Sequence, residues 1–307
     1  MADPGLKAPF PWFGGKSRVA DVVWRAFGDV ANYVEPFGGS LAVLLGRPGE
    51  ATVETVNDMD CYIANFWRAV QADPVGVVKH CNWPVNEADK HARHKWLVDR
   101  EFEFRERIMS DPHYYDLKIA GWWVWGLCLW IGSGWCSKKK PSRQIPALAG
   151  TGNGIHALGY RDMNLHQRIQ SLSKRLRYVR VACGDWSRIL GPSITTGMGL
   201  TAVFLDPPYD GEEDVYRCDG RISSTVREWA LAHGNDPLFR IALCGYEGEH
   251  VMPKEWVIHA WKANGGYGNR GQGQGRVNAG RERIWFSPHC LPLEKERSTN
   301  LFPEEDW

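Results

Sequence analysis

The chain has 307 residues, of which 43% are hydrophobic and 24% are charged. These fractions are close to those of globular proteins, so they exclude a chain that is disordered throughout. The formal net charge of +1 excludes a strongly basic protein, and any surface that binds nucleic acid must therefore be local.

The cysteines and apolar runs indicate the compartment. Eight cysteines are scattered without a C-x-x-C pair, which favours reduced thiols in a core over disulfides. No apolar run approaches the length of about 20 residues that crosses a bilayer. The first residues do not resemble a signal peptide. We therefore expect a cytoplasmic protein that has no membrane partner.

The first motif in the chain is W-F-G-G-K at residues 12–16. Trp12 can pack on an adenine ring, and the Lys16 ammonium can neutralise a carboxylate. Gly14 and Gly15 lie between Trp12 and Lys16 and allow a tight loop there. A surface loop without a ligand is an equally good interpretation of this run alone.

Residues 34–45 predict a strand, a glycine turn and a helix that is capped near Ser40. The turn contains Glu35, Phe37 and Gly39, and its glycines would let a ligand approach the backbone. It matches neither G-x-G-x-x-G nor the Walker pattern, so no nucleotide phosphate is indicated.

A second short apolar segment ends at Asn57-Asp58, about twenty residues after the glycine turn. An acidic side chain at such a strand end can bind ribose hydroxyls, although Asp58 taken alone is more typical of a helix N-cap. Ile63, Phe66 and Val70 then follow at helical spacing. The first 70 residues thus predict a β-α-β-α unit of a parallel sheet.

Residues 74–167 differ in character, with a tryptophan-rich run over 122–135 and a basic, glycine-punctuated stretch over 137–159. We interpret them as an inserted, mainly helical lobe, whose tryptophans mostly pack it onto the rest of the protein. Strand patterns return at 178–183, 201–205, 239–244 and 283–286. Asp185-Trp186 follows the first of these, as an acid and aromatic pair suited to an adenine, or as a helix cap beside a core tryptophan.

The tetrapeptide Asp206-Pro207-Pro208-Tyr209 directly follows the strand pattern at 201–205. Ligands bind beyond the carboxyl ends of strands in open α/β sheets. Two prolines make this loop stiff and remove two backbone donors. A carboxylate, free carbonyls and a ring can then hold a flat base by its amino group, although a stiff turn accounts for the tetrapeptide alone equally well.

Taken together, these motifs resemble the Dam-like adenine-specific DNA methyltransferase family in order and spacing. The resemblance rests on residues 12–16, 35–40, 57–58, 184–186 and 206–209, and it covers most of residues 7–290. It implies an α/β fold, a Rossmann-like methyltransferase sheet with an inserted, mainly helical DNA-recognition lobe. The catalytic domain would comprise 1–73 and 168–291, the lobe 74–167, and a peripheral tail 292–307.

The resemblance also implies the site. S-adenosylmethionine would be the cofactor, and a flipped adenine in double-stranded DNA would accept methyl on its exocyclic amino group. No metal is expected, because the methyl donor is already electrophilic, and no obligate protein partner is implied. The catalytic residues would be Asp206, Pro207, Pro208 and Tyr209. The cofactor-binding residues would be Trp12, Gly14, Gly15, Lys16, Glu35, Phe37, Gly39, Ser40, Asp58, Asp185, Trp186 and Asp206.

Basic loops are the candidate DNA contacts. They contain Lys138, Lys139, Lys140, Arg143, Arg270 and Arg276. Pro11 stands where relatives that methylate GATC carry a basic residue, so the resemblance does not imply that target. A prokaryotic or phage source is expected, with a role in restriction-modification or in a phage. The alternatives are amino-group methylation of cytosine in DNA or of RNA, and a non-catalytic nucleic-acid-binding relative.

Overall fold

A seven-stranded sheet forms the centre of the protein in a computed structural model. The structure describes residues 5–12, 14–49, 52–132, 134–137, 145, 154–156, 165–209, 222–262 and 280–293. The strands are β1 (Asn32–Glu35), β2 (Val53–Asp58), β3 (Arg180–Cys183), β4 (Thr201–Leu205), β5 (Phe239–Tyr246), β6 (Val257–Ala260) and β7 (Glu282–Phe286).

The strand order is β3-β2-β1-β4-β5-β7-β6. Strands β1 to β5 run parallel to one another, whereas β7 runs antiparallel to both β5 and β6. The order reverses between β1 and β4, which is the point at which open α/β sheets bind their ligands. This mixed sheet confirms the predicted Rossmann-like architecture.

Eight helices accompany the sheet in the described ranges. They are α1 (Ala20–Phe27), α2 (Ala42–Leu45), α3 (Cys61–Ala72), α4 (Pro74–Cys81), α5 (Glu87–Ser110), α6 (Leu117–Leu127), α7 (Leu165–Leu176) and α8 (Ile222–His233). Short 3-10 turns lie at Gly154–His156, Trp186–Ile189 and Thr196–Met198. None of these described helices is long and apolar enough to cross a membrane.

Apolar side chains cover both faces of the central strands. In β4, Phe204 contributes to one core, whereas Val203 and Leu205 contribute to a second core across the sheet. This alternation follows from the two-residue period of a strand. Burial on both faces explains why the β4 sequence is continuously apolar.

The predicted lobe is helical where the structure describes it, through α4, α5 and α6. The expectation that its tryptophans form core is confirmed for Trp123 and Trp125, which are almost fully buried. The Trp123 ring centroid lies 5.2 Å from that of Phe10 and 5.6 Å from that of Phe66. The lobe therefore shares one hydrophobic core with the helices that cover the sheet. The boundaries at 73 and 168 stay a prediction.

Two local expectations are wrong, and a third is incomplete. Helix α2 is not capped by Ser40, because Leu41 occupies the N-cap position with φ of 54° and no side-chain cap bond. Leu41 is fully buried, and that burial offsets the cost of about 1–2 kcal/mol for a left-handed residue. Asp60, rather than Asp58, caps α3 by accepting from Tyr62 N. Helix α1 and strand β6 were not expected.

The described cysteines form no disulfide with one another. Cys61, Cys81, Cys128, Cys136, Cys183 and Cys244 are buried, and Cys290 is half-buried. The prediction of reduced core thiols is therefore confirmed over the part of the chain that the structure describes.

Candidate active site

The predicted motifs meet at one edge of the sheet. Glu35, Asp58 and Cys183 end the parallel strands β1, β2 and β3, and Asp206 follows the end of β4. Because these strands are parallel, their carboxyl ends lie at the same edge. The fold therefore brings together segments that are far apart in the sequence.

Asn57 joins the loops that follow β1 and β3. Its Nδ2 atom donates to Pro36 O at 3.1 Å and to Gly184 O at 2.9 Å. Its backbone oxygen accepts from Gly38 N at 2.8 Å. The Oδ1 atom of Asn57 is buried and has no hydrogen-bond partner among the described residues. A buried acceptor of this kind calls for a donor that those residues do not provide.

Asp58 holds the glycine turn. Its Oδ2 accepts from Gly39 N at 2.9 Å, and its Oδ1 accepts from Asp60 N at 2.8 Å. Burial raises the pKa of the Asp58 carboxyl to about 7, and the nearby Asp60 charge adds to that rise. The half-buried carboxylate keeps lone pairs for further donors, such as vicinal hydroxyls.

Trp12 lies against the glycine turn and the lobe. A Cβ atom placed on Gly39 would come within 2.5 Å of Trp12 Nε1, so this position requires glycine. The Trp12 ring also packs near Phe10 and Trp123, at centroid distances of 6.0 and 6.5 Å. Trp67 Nε1 donates to Gly39 O at 2.9 Å, which fixes the other side of the turn.

Phe37 and Trp186 form an aromatic pair between the loops after β1 and β3. Their rings are stacked at a centroid distance of 6.1 Å and an interplanar angle of 24°. Both side chains are half-buried. Asp185 is exposed and caps the short turn Trp186–Ile189 by accepting from Ser187 N, so the cap interpretation of Asp185 applies.

Lys16 connects the first motif to the last. Its Nζ atom lies 2.9 Å from Asp206 Oδ2 and donates to Gly14 O at 2.8 Å. The Lys16 side chain is 4% exposed and that of Asp206 is 19% exposed, so Asp206 alone of the pair retains access to solvent. Lys16 therefore neutralises a carboxylate, as the sequence predicted. That carboxylate is the Asp206 side chain of the protein itself.

Tyr209 is buried beside this pair. Its hydroxyl lies 3.0 Å from Asp206 Oδ1 and 2.9 Å from Glu282 Oε2. The Tyr209 ring makes an edge-to-face contact with Tyr246 at 4.6 Å, and Lys16 Nζ lies 5.2 Å from the ring centroid. A base could stack on this ring only after the groups that cover it had moved.

Glu282 is a site residue that sequence reasoning missed. It begins β7, is paired in register with Tyr246 of β5, and is 4% exposed. Because β7 is antiparallel, its first residue lies at the edge where the parallel strands end. An acidic residue two positions before the apolar run 284–286 is the sequence signal, and it is a weak one.

The electrostatics of the cluster follow from burial and pairing. Burial lowers the pKa of Lys16, but the Asp206 and Glu282 charges more than offset this and raise it above the usual range, so the ammonium stays charged. Burial, with the Asp206 charge, raises the pKa of Tyr209 well above its usual value. Burial raises the pKa of Glu35 to about 8, against the bond that Tyr33 OH donates to it at 2.9 Å. Glu35 is therefore largely neutral at pH 7.

The remaining predicted residues are distributed as follows. Gly14 adopts a positive φ of 69°, Gly15 is exposed and Ser40 is half-buried. Pro207 is buried and Pro208 is half-buried. Among the described residues, no group of three or more His, Cys, Asp or Glu could hold a metal ion. The candidate DNA contacts Lys138, Lys139, Lys140, Arg143, Arg270 and Arg276 lie outside the described residues.

A comparison with protein families gives one match. Residues 12–118 match the family described as D12 class N6 adenine-specific DNA methyltransferase. The matched range contains Lys16, Glu35 and Asp58, and it ends before Asp206 and Tyr209. No curated protein matches the chain.

Proposed function

We propose that the protein transfers methyl from S-adenosylmethionine to the exocyclic amino group of a flipped adenine in double-stranded DNA, in keeping with the match of residues 12–118 to the family described as D12 class N6 adenine-specific DNA methyltransferase. The observation that carries this proposal is the placement of Asp206. It lies beside the switch point of the sheet, is partly exposed, and is held by a buried lysine of the first motif.

The residues around the glycine turn fit S-adenosylmethionine. The unpartnered Asn57 Oδ1 and the Asp58 carboxylate offer acceptors to amino and hydroxyl groups. The stacked Phe37 and Trp186 rings offer an apolar surface to an adenine ring. The neutral Glu35 and the close approach at Gly39 would shape the methionine end. When bound, the cofactor would supply an electrophilic methyl group on a sulfonium.

Asp206 would orient the acceptor. A carboxylate oxygen and the carbonyl of Pro207 can accept the two hydrogens of an amino group, which directs the nitrogen lone pair toward the methyl group. Lys16 holds Asp206 in place, because its buried ammonium is paired with the Oδ2 atom at 2.9 Å. The protein would contribute mainly positioning and electrostatics to the reaction. Extrusion of the base would cost a few kcal/mol of stacking and pairing.

Methyl transfer to DNA tests this proposal directly. The wild-type protein should transfer tritiated methyl groups to mixed-sequence DNA, and nuclease digestion with mass analysis should identify N6-methyladenine. Asp206→Ala should abolish transfer, whereas Asp21→Asn, which changes an exposed carboxylate on α1, should not.

The alternatives give different products. Modified cytosine, or transfer to RNA alone, would replace the proposed acceptor with another amino group. A wild-type protein that binds S-adenosylmethionine and transfers nothing to DNA would disprove the proposal, and DNA binding unaffected by Asp206→Ala would then indicate a non-catalytic relative.

A further inference from the structure

We propose that Glu282 is a positioning residue of the methyl-transfer site. It accepts the hydrogen bond of the Tyr209 hydroxyl, so that Asp206 is free to accept a hydrogen bond from the target amino group. This inference rests on the proposed function and extends it to a residue that lies outside the predicted motifs and outside the family match.

The Tyr209 hydroxyl can donate only one hydrogen bond. A tyrosine hydroxyl has one hydrogen, and it faces two carboxylate oxygens, Asp206 Oδ1 at 3.0 Å and Glu282 Oε2 at 2.9 Å. Only one of them can receive a full hydrogen bond at a time. The other oxygen lacks the Tyr209 hydrogen while that bond lasts.

The two oxygens of Asp206 have different partners. Its Oδ2 is bound to the Lys16 ammonium at 2.9 Å, so Oδ1 has more acceptor capacity left for a substrate amino group. A hydrogen bond from Tyr209 uses one of the two lone pairs of Oδ1 and so weakens that atom as an acceptor for the substrate. If its hydrogen turns to Glu282, Asp206 Oδ1 is released while the Tyr209 hydroxyl keeps a partner in the buried site.

Burying the acidic side chain of Glu282 costs desolvation free energy. Glu282 is almost fully buried at the start of β7, whose last three residues, 284–286, are apolar and buried. Its Oε2 lies 3.9 Å from Lys16 Nζ, so it shares one ammonium with Asp206. Buried charges of this kind add little to stability compared with apolar side chains of similar size. The arrangement is therefore better explained by the reaction than by folding.

Substitutions at the two positions test the exchange of the hydrogen. In Glu282→Met the acceptor is lost and Tyr209 donates to Asp206 alone, so kcat should fall about tenfold, the order expected for one net hydrogen bond. KM for DNA and for S-adenosylmethionine should change much less. Glu282→Gln keeps an acceptor oxygen and should retain most of the activity. Glu255→Met, at an exposed glutamate, is the matched control.

The double variant gives the sharpest readout. Tyr209→Phe removes the competing hydroxyl, so Glu282→Met combined with Tyr209→Phe should be no less active than Tyr209→Phe alone. A loss equal to the product of the two single losses would overturn the inference, as would wild-type kcat in Glu282→Met. Thermal unfolding of all four proteins identifies a loss of kcat that comes from loss of fold.

The same experiment separates the two proposals. If the wild-type protein binds S-adenosylmethionine but transfers no methyl to DNA, the proposed function fails and the role of Glu282 fails with it. If the wild-type protein is active and the two losses multiply, the inference about Glu282 alone is wrong.

Discussion

Lys16 Nζ lies 2.9 Å from Asp206 Oδ2, and this buried contact joins the first and last motifs of the chain. The same ammonium lies within 3.9 Å of Glu282 Oε2, so one positive charge serves two carboxylates. Lys16 thereby stabilises the loop after β4.

We therefore predict that Lys16→Met is strongly destabilising. The free energy of unfolding should fall by about 3 kcal/mol, because the substitution leaves two carboxylates in the site without their counter-charge. Urea denaturation at neutral pH measures the change. Lys95→Met is the matched control, since it removes an exposed lysine paired with Asp99 at 2.6 Å, and that pair contributes about 0.3–0.5 kcal/mol. Equal losses in the two variants would contradict the electrostatic role of Lys16.

The affinity for S-adenosylmethionine should depend on the protonation of Asp58. Its pKa is raised to about 7, chiefly by burial, and only the ionised carboxylate can accept from two hydroxyls. The dissociation constant should therefore fall as the pH rises from 6 to 8. Isothermal titration calorimetry across that range checks this, and Asp58→Asn should bind more weakly and lose the pH dependence. A wild-type dissociation constant that is flat from pH 6 to 8 would exclude Asp58 from the cofactor site.

The raised pKa of Asp58 should act on folding stability in the direction opposite to its effect on cofactor affinity as the pH rises. Between the unfolded value of about 4 and the folded value of about 7, the native carboxyl holds a proton that the unfolded chain has released. The free energy of unfolding should therefore fall as the pH rises through this window. Asp58→Asn should reduce that slope in urea denaturation. Glu35 contributes in the same direction up to about pH 8, so part of the slope should remain.

Gly39→Ala should weaken cofactor binding more than it weakens the fold. The added Cβ would lie 2.5 Å from Trp12 Nε1, so the Trp12 ring must move from the turn. Gly49→Ala is a fair comparison, because Gly49 also has a positive φ, of 74°, but a Cβ there meets open space. Both variants bear the backbone cost of about 1 kcal/mol. Calorimetry should show lost affinity for S-adenosylmethionine in Gly39→Ala only, and equal affinities would indicate that Trp12 does not shape the pocket.

Glu54 should be essential for stability rather than for chemistry. It lies in β2, is 2% exposed, and binds Arg47 at 3.2 Å and Arg175 of α7 at 2.7 and 2.8 Å. Glu54→Gln removes the negative charge that faces Arg47 and Arg175, which keep only neutral acceptors such as Val30 O and Leu44 O, and the free energy of unfolding should fall by about 3 kcal/mol. Denaturation of the exposed-site variant Glu106→Gln provides the reference. If Glu54→Gln unfolds like that reference, the neutral acceptors are sufficient for the two arginines.

The sequence predicts most of the site because the motifs follow parallel strands. Asp58 ends β2 and Asp206 directly follows β4, and the parallel topology alone brings them to one edge. Glu282 could not be found in this way, since β7 is antiparallel and reaches that edge with its first residue. The cap at Leu41 was missed for a different reason: burial of that side chain outweighs the local preference for a serine cap. Local patterns report neither kind of tertiary effect.

Trp123 of α6 has a consequence for engineering. Its ring packs on Phe10 and Phe66 and lies 6.5 Å from Trp12, so one side chain of the predicted recognition lobe supports the loop that borders the glycine turn. A chimera that exchanged residues 74–167 for those of another enzyme would expose the apolar surface beneath. Retargeting such a protein to a new DNA sequence will require the transplanted segment to bring a matching aromatic ring, or to leave α6 of the recipient in place.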